Sequence, residues 1–222
     1  MWTSWGLEPP GAFAAAAGFA LFVAALLDHA AYRLPRALDG GITDERSTAH
    51  QRYRTGFWAA SPLLAMLFAW HFGPTPAAAA AIAYATTLIA LAWVDAETGL
   101  LPDMLTLPLL WTGLLINLNG AFALLPDAVI GAVAGYMTPW CICQLFLLVT
   151  GRRGMGHGDF KFLAALGAWL GWTSLPWILL ISSSLALAAA LPGRLTGRIK
   201  AGDPLRFGPY LAVAGILAML RL

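Results

Sequence analysis

The sequence predicts an all-α, polytopic integral membrane protein of about eight transmembrane helices with its N-terminus outside, and three observations predict it. The first is composition. Of 222 residues, 59% are apolar and 11% charged, with a mean hydropathy of +0.72, whereas soluble domains carry about 25% charged residues. A water-soluble globular domain is excluded, as are a disordered chain, a collagen and a disulfide-stapled secreted domain. The second is the recurrence of apolar stretches of membrane-crossing length. The third is the placement of positive charge.

A helix rises 1.5 Å per residue, so a crossing takes roughly 17–25 mostly apolar residues. In chain order, the long stretches are Gly11 to Tyr32, Phe57 to Phe72, Ala77 to Val94, Ala128 to Thr150 and Ser174 to Leu191. Met104 to Leu118, Phe160 to Trp172 and Phe207 to Leu220 are shorter, and length alone leaves open whether they span or re-enter. Breaks fall at Gly73-Pro74-Thr75-Pro76, Asn117 to Pro126, Gly171 to Pro176 and Pro192 to Pro209, where Gly and Pro interrupt the helical pattern.

Lys and Arg near span ends collect on the cytoplasmic side. With eight spans, the inner loops are 33–56, 95–103, 150–160 and 193–206. Arg33, Arg36, Arg46, Arg52, Arg54, Arg152, Arg153, Lys161, Arg194, Arg198, Lys200 and Arg206 lie in or beside them, which is 12 of the 13 basic residues. Only Arg221 falls on the outer side. Omitting any one short span would put some of these charges on the wrong face.

Met1 to Pro10 has no basic residue ahead of its apolar run, so the first span is expected to be retained rather than cleaved as a signal peptide. Residues 33–56 are the one extended polar segment, and 1–222 reads as a single membrane domain. The bilayer is therefore the first partner. The net charge of +2 gives no basic surface for nucleic acid.

An ionisable group at membrane depth is costly and is a functional candidate by default. Asp95, Glu97 and Asp103 fall in one inner loop, WVDAETGLLPDMLT, that contains no Lys or Arg. Asp159 ends a second loop, GRRGMGHGD, just ahead of an apolar run. Asp95 and Asp159 thus sit at the cytosolic ends of two spans, on one membrane face. Two carboxylates held close cannot both ionise cheaply, so the pair shares a proton. One then activates water while the other polarises a carbonyl, which is the chemistry of aspartic proteolysis. Gly156 and Gly158 flank His157 ahead of Asp159, and they permit backbone conformations and close approaches that other residues resist.

At these residues the chain resembles the type IV prepilin leader peptidases, membrane aspartic peptidases of the GxGD type. The matching stretches are AWVDAETGLLPDMLTLPLLWTGLLINL (92–118), TGRRGMGHGDFKFLAALGAWLGW (150–172) and FGPYLAVAG (207–215), with YRLPR at 32–36. The resemblance implies that Asp95 and Asp159 are the catalytic pair. It also implies a bacterial inner-membrane protease with its site facing the cytosol, and a prepilin or type II secretion pseudopilin as substrate. Such a substrate has a short basic leader, a Gly before the cut and then a hydrophobic helix. Glu97 and Asp103, in a loop free of basic residues, are expected to attract the leader's Lys and Arg.

The sequence departs from the family in one place. Many members carry two CxxC pairs, resembling a zinc site, in the loop after the first span, and they N-methylate the new N-terminus with S-adenosylmethionine. Here the loop from Leu34 to Thr55 is short and has no cysteine, whereas a structural zinc site takes four thiolate or imidazole ligands. Peptidase activity needs no cofactor, and S-adenosylmethionine would be needed only if methylation were retained. The first span also carries Asp28 where the family more often has Asn.

The remaining polar residues have plainer readings. Asp103 follows Pro102 and is expected to N-cap the next helix, and Asp159 can cap as well as catalyse. Lys161 is expected to snorkel to the interface rather than tune Asp159. Cys141 and Cys143 are two apart, do not share a helix face and read as small apolar fillers. Two other functions stay in view. A proton-coupled transporter would place acids at mid-span, which only Asp28 suits. A GxGD protease of other transmembrane segments shares the chemistry, but LPD at 101–103 and FGPYLAVAG favour the prepilin class.

Overall fold

A computed structural model of the chain describes residues 9–38, 48–151, 156–195 and 206–222, and these contain no strand. Eight α-helices follow one another: α1 (Pro9–Leu38), α2 (Thr48–Phe72), α3 (Pro76–Thr98), α4 (Asp103–Ile116), α5 (Leu125–Thr150), α6 (His157–Leu170), α7 (Leu175–Leu195) and α8 (Gly208–Met219). Gly11–Leu34, Pro76–Thr98, Leu125–Thr150 and Trp172–Pro192 are long and apolar enough to cross a membrane, and Gly208–Met219 is apolar but shorter. The protein is an all-α membrane protein. Residues 1–8, the loop centre with Arg46, the pair Arg152 and Arg153, and Arg198 with Lys200 lie outside the described residues.

Each expected stretch lies within one helix or nearly coincides with one, but the polar segment 33–56 is shorter than the sequence indicated. Helix α1 continues to Leu38 and α2 begins at Thr48. Loss of hydropathy marks where a chain leaves lipid, not where its backbone hydrogen bonding stops. Local bonds support both polar ends: Arg36 donates to the Tyr32 carbonyl at 2.9 Å and Thr55 to that of Gln51 at 2.7 Å.

The helices alternate in direction. One end of the bundle gathers the end of α1, the starts of α2, α4, α6 and α8 and the end of α3, as the contacts Arg36–Glu97, His50–Glu97, Lys161–Asp103 and Gly208–Asp95 require. The other end gathers the end of α2, the α4–α5 turn and the end of α6, with Phe72 against Phe122 and Phe122 against Trp169.

Helix α6 is the axis of the core, with every residue from Phe162 to Leu170 buried. It meets α5 through glycines: a Cβ added to Gly131 or to Gly167 would collide with the other's carbonyl, and one on Gly135 would lie 2.7 Å from the Leu163 carbonyl oxygen. Lipid supplies no hydrophobic drive between helices, so such backbone contact is how they gain packing energy. On its other side, Trp169 covers Gly113 of α4 and donates from Nε1 to the Leu109 carbonyl at 2.8 Å.

The buried Asn117, just after α4, completes this frame. Its Nδ2 donates to the carbonyls of Ala168 and Trp169, each at 2.9 Å. Its Oδ1 accepts from Phe122 and Ala123 at 3.0 and 3.1 Å. One side chain thereby satisfies the end of α6 and the turn into α5, where unpaired buried groups would be costly.

Candidate active site

Asp95 stands in the last turn of α3, directly after the buried Trp93 and Val94, which hold that turn against the bundle. The helix ends at Gly99, whose φ of 72° is a left-handed conformation that glycine adopts without strain, and whose N–H closes on the Asp95 carbonyl at 2.8 Å. Asp95 is 5% exposed. Its Oδ2 accepts the backbone N–H of Gly208 at 2.9 Å. A Cβ on Gly208 would lie 2.8 Å from that same oxygen, so only glycine lets α8 start this close. Arg206, two residues earlier, donates from Nη1 to the carbonyl of Ala96, and its positive charge bears on Asp95.

Asp159 occupies the first turn of α6, ahead of the apolar run that starts at Phe160. It does not cap the helix as the sequence suggested: Gly156 holds the N-cap position, and the Asp159 N–H reaches the Gly156 carbonyl at 3.2 Å. The second glycine has a packing reason. A Cβ on Gly158 would lie 2.9 Å from the Leu101 Cβ, so its bare backbone seats α6 against the turn between α3 and α4. Burial pushes the Asp159 carboxyl up to about 7, the negative charge of Asp95 adds to that rise, and a backbone hydrogen bond from Gly156 opposes it. The two carboxylates, 64 residues apart in sequence, are therefore close enough for the charge on one to be felt by the other.

The supporting acids do not stand free. Asp103 is the first residue of α4, with Pro102 in the cap position and no side-chain cap, because its carboxylate turns to Lys161, 2.7 Å from both oxygens. Lys161 is thus an ion-pair partner rather than a lone interface anchor. Glu97, expected to draw a basic leader, is already engaged. Arg36 meets it at 3.0 Å, His50 at 3.0 Å and Trp93 Nε1 at 2.8 Å, with only 15% of its side chain exposed. Its role in the structure is to clamp the last turn of α3 to α1 and α2, not to offer a free countercharge. Asp28 is matched in the same way, accepting two bonds from Arg54 at 2.8 and 2.9 Å and one from Trp58 at 3.3 Å. The Arg54 partnership accounts for an acid at that position and leaves it ill suited to a proton path.

Sequence reasoning missed Arg206 and Gly208. The stretch FGPYLAVAG carried part of the resemblance, yet nothing in its spacing says that its first glycine meets a carboxylate 113 residues away. The loop 34–55 has no cysteine, and among the described residues no group of three or more His, Cys, Asp or Glu gathers. Cys141 and Cys143 lie on α5 as free thiols.

Comparison with known proteins bears on the same stretch. The model of the type IV leader peptidase family matches residues 82–191, a span that includes Asp95, Asp103, Asp159 and Lys161. Three relatives are named prepilin leader peptidase/N-methyltransferase. That of Burkholderia pseudomallei is 53% identical over 144 residues, covering 65% of this chain and 47% of the relative. That of Pseudomonas aeruginosa is 50% identical over 187 residues, covering 83% and 63%. That of Aeromonas hydrophila is 49% identical over 158 residues, covering 71% and 54%. The aligned part spans roughly half to under two-thirds of these relatives' length. No solved structure matches the chain.

Proposed function

Since this chain belongs to the type IV leader peptidase family, we propose that it is a membrane aspartic endopeptidase that removes the leader from prepilins or pseudopilins. The observation that carries the reading is that the end of α3 with Asp95 and the start of α6 with Asp159 meet at one end of the bundle, with the charge of Asp95 adding to the rise of the Asp159 carboxyl. A carboxyl that keeps its proton near pH 7 beside a second carboxylate is the pairing that hydrolysis by two aspartates requires. One accepts a proton from water as the water oxygen attacks the scissile carbonyl. The other gives its proton to the carbonyl oxygen.

The bilayer sets which peptide bond is reached. We read eight passes with the N-terminus outside, in an inner membrane, so the end that holds both acids faces the cytosol. A substrate helix lying in the membrane, with its basic leader still in the cytosol, presents the leader bond at that depth. Glu97 and Asp103 are each paired within the chain, so neither supplies an unpaired charge for the leader. The reaction uses no cofactor. S-adenosylmethionine belongs to this reading only if the methyl transfer named for the relatives is retained, and the cysteine-free loop does not support that half.

The test is co-expression with a prepilin, reading its N-terminus by mass spectrometry. Loss of the leader at a single bond is the expected result. An intact prepilin recovered from membranes that contain the chain would reject the reading.

A further inference from the structure

Asp95 and Asp159 are not equivalent in their surroundings. The start of α8 is built against Asp95 alone: the Gly208 N–H points at Oδ2 from 2.9 Å, and Arg206 is anchored on the carbonyl of Ala96, the next residue. Arg206 also passes close to Gly99, with Nε 4.0 Å from where a Cβ on that glycine would sit, so it lies along the last turn of α3. Both an oriented N–H and a cation favour the charged form of a carboxylate, and the N-terminus of a helix adds a partial positive charge of its own. Asp159, in the first turn of α6, has a backbone N–H of its own, that of Gly156, but among the described residues no cation is set against it as Arg206 is against Asp95. Lys161, on its own helix, is spent on Asp103, and the charge that reaches Asp159 from α3 is the negative one of Asp95. Glu97, the other acid on the last turn of α3, is turned to Arg36 of α1 and His50 of α2.

We propose that Arg206 and the Gly208 N–H are positioning groups that hold Asp95 as the charged, water-activating base and leave the shared proton on Asp159. The assignment rests on the peptidase reading above. Asp95 takes a proton from water while the water oxygen bonds to the carbonyl carbon, and the carbonyl oxygen takes the proton of Asp159. The tetrahedral diol then collapses: the C–N bond breaks, Asp95 gives its proton to the leaving nitrogen, and one diol hydroxyl returns a proton to Asp159. Both carboxyl groups end as they began.

The experiment follows prepilin cleavage by the purified full chain over the pH range where carboxylates titrate, for wild type, Arg206→Gln, Arg206→Lys and Gly208→Ala. Loss of the cation makes the base harder to ionise, so Arg206→Gln is expected to move the acidic limb of kcat up by about one pH unit. KM should change little, and Arg206→Lys should return the limb toward wild type. Gly208→Ala, whose Cβ intrudes on the Asp95 carboxylate, is expected to lose kcat by about tenfold or more in the fraction that folds, with KM little changed. An acidic limb in Arg206→Gln that overlays wild type overturns the assignment, as does a lysine variant whose limb matches that of the glutamine variant. If Arg206→Gln is too slow to follow, Gly208→Ala decides alone, and wild-type kcat there overturns it. A wild type that cleaves no prepilin rejects the peptidase reading, and the assignment with it.

Discussion

Lys161 Nζ lies 2.7 Å from both carboxylate oxygens of Asp103, tying the start of α6 to the first residue of α4 within two residues of Asp159. The pair is partly exposed, 30% for Lys161 and 53% for Asp103, so its contribution to stability is under about 1 kcal/mol. Its effect on positioning is the larger one. Lys161→Met and Asp103→Asn are each expected to lower kcat/KM several-fold, with the double variant no worse than either single. A double-mutant cycle on cleavage rate measures this coupling.

Asn117 is the polar side chain on which the far end of α6 depends. Asn117→Leu removes the bonds to Ala168, Trp169, Phe122 and Ala123 and leaves buried backbone groups without them. The expected loss is about 3 kcal/mol, read as a lower melting temperature in detergent. Because the site lies at the opposite end of α6, the folded fraction of the variant should cleave at close to the normal rate.

Glu97→Gln separates a clamp from a leader-binding role. Removing one charge from the buried set of Arg36, His50 and Glu97 leaves the arginine uncompensated, at an expected cost of about 3 kcal/mol. Leader preference should not change, since the carboxylate is occupied within the chain. Melting temperature, together with cleavage of prepilins that differ only in leader charge, checks both halves.

How much of this was legible in the sequence depended on whether an interaction is local. The helices and their breaks were legible because apolar length and Gly–Pro punctuation act within one stretch of chain; Gly73 and Gly171 follow helix ends where such breaks were expected. Asp95 and Asp159 were legible as a pair because the positive-charge distribution put both at one face. What was not legible were side-chain partners fixed by tertiary packing. Asp103 reads as a cap until Lys161, 58 residues on, claims its carboxylate. Glu97 reads as free until Arg36 and His50 arrive from α1 and α2, and Gly208 reads as an ordinary helix start until its N–H meets Asp95.

The elevated Asp159 carboxyl fixes the sign of the pH response. Below about 7 it retains a proton, and above that value it gives the proton up. Cleavage should therefore fall on the alkaline side as pH rises through about 7, since the pair then has no proton to give the carbonyl oxygen. On this group's account folding stability also declines as pH rises toward 7, because the folded chain keeps a proton that the unfolded chain has released. Rates measured on a substrate without titrating groups near the scissile bond test the sign.

The most direct test of the account replaces each of the paired acids with its neutral isostere. Asp95→Asn and Asp159→Asn should both insert in the membrane at wild-type levels and both leave a co-expressed prepilin with its leader attached, a rate loss of at least about a thousandfold. Leader removal that persists in either variant, at anything near the wild-type rate, would contradict a hydrolytic centre made by these two side chains.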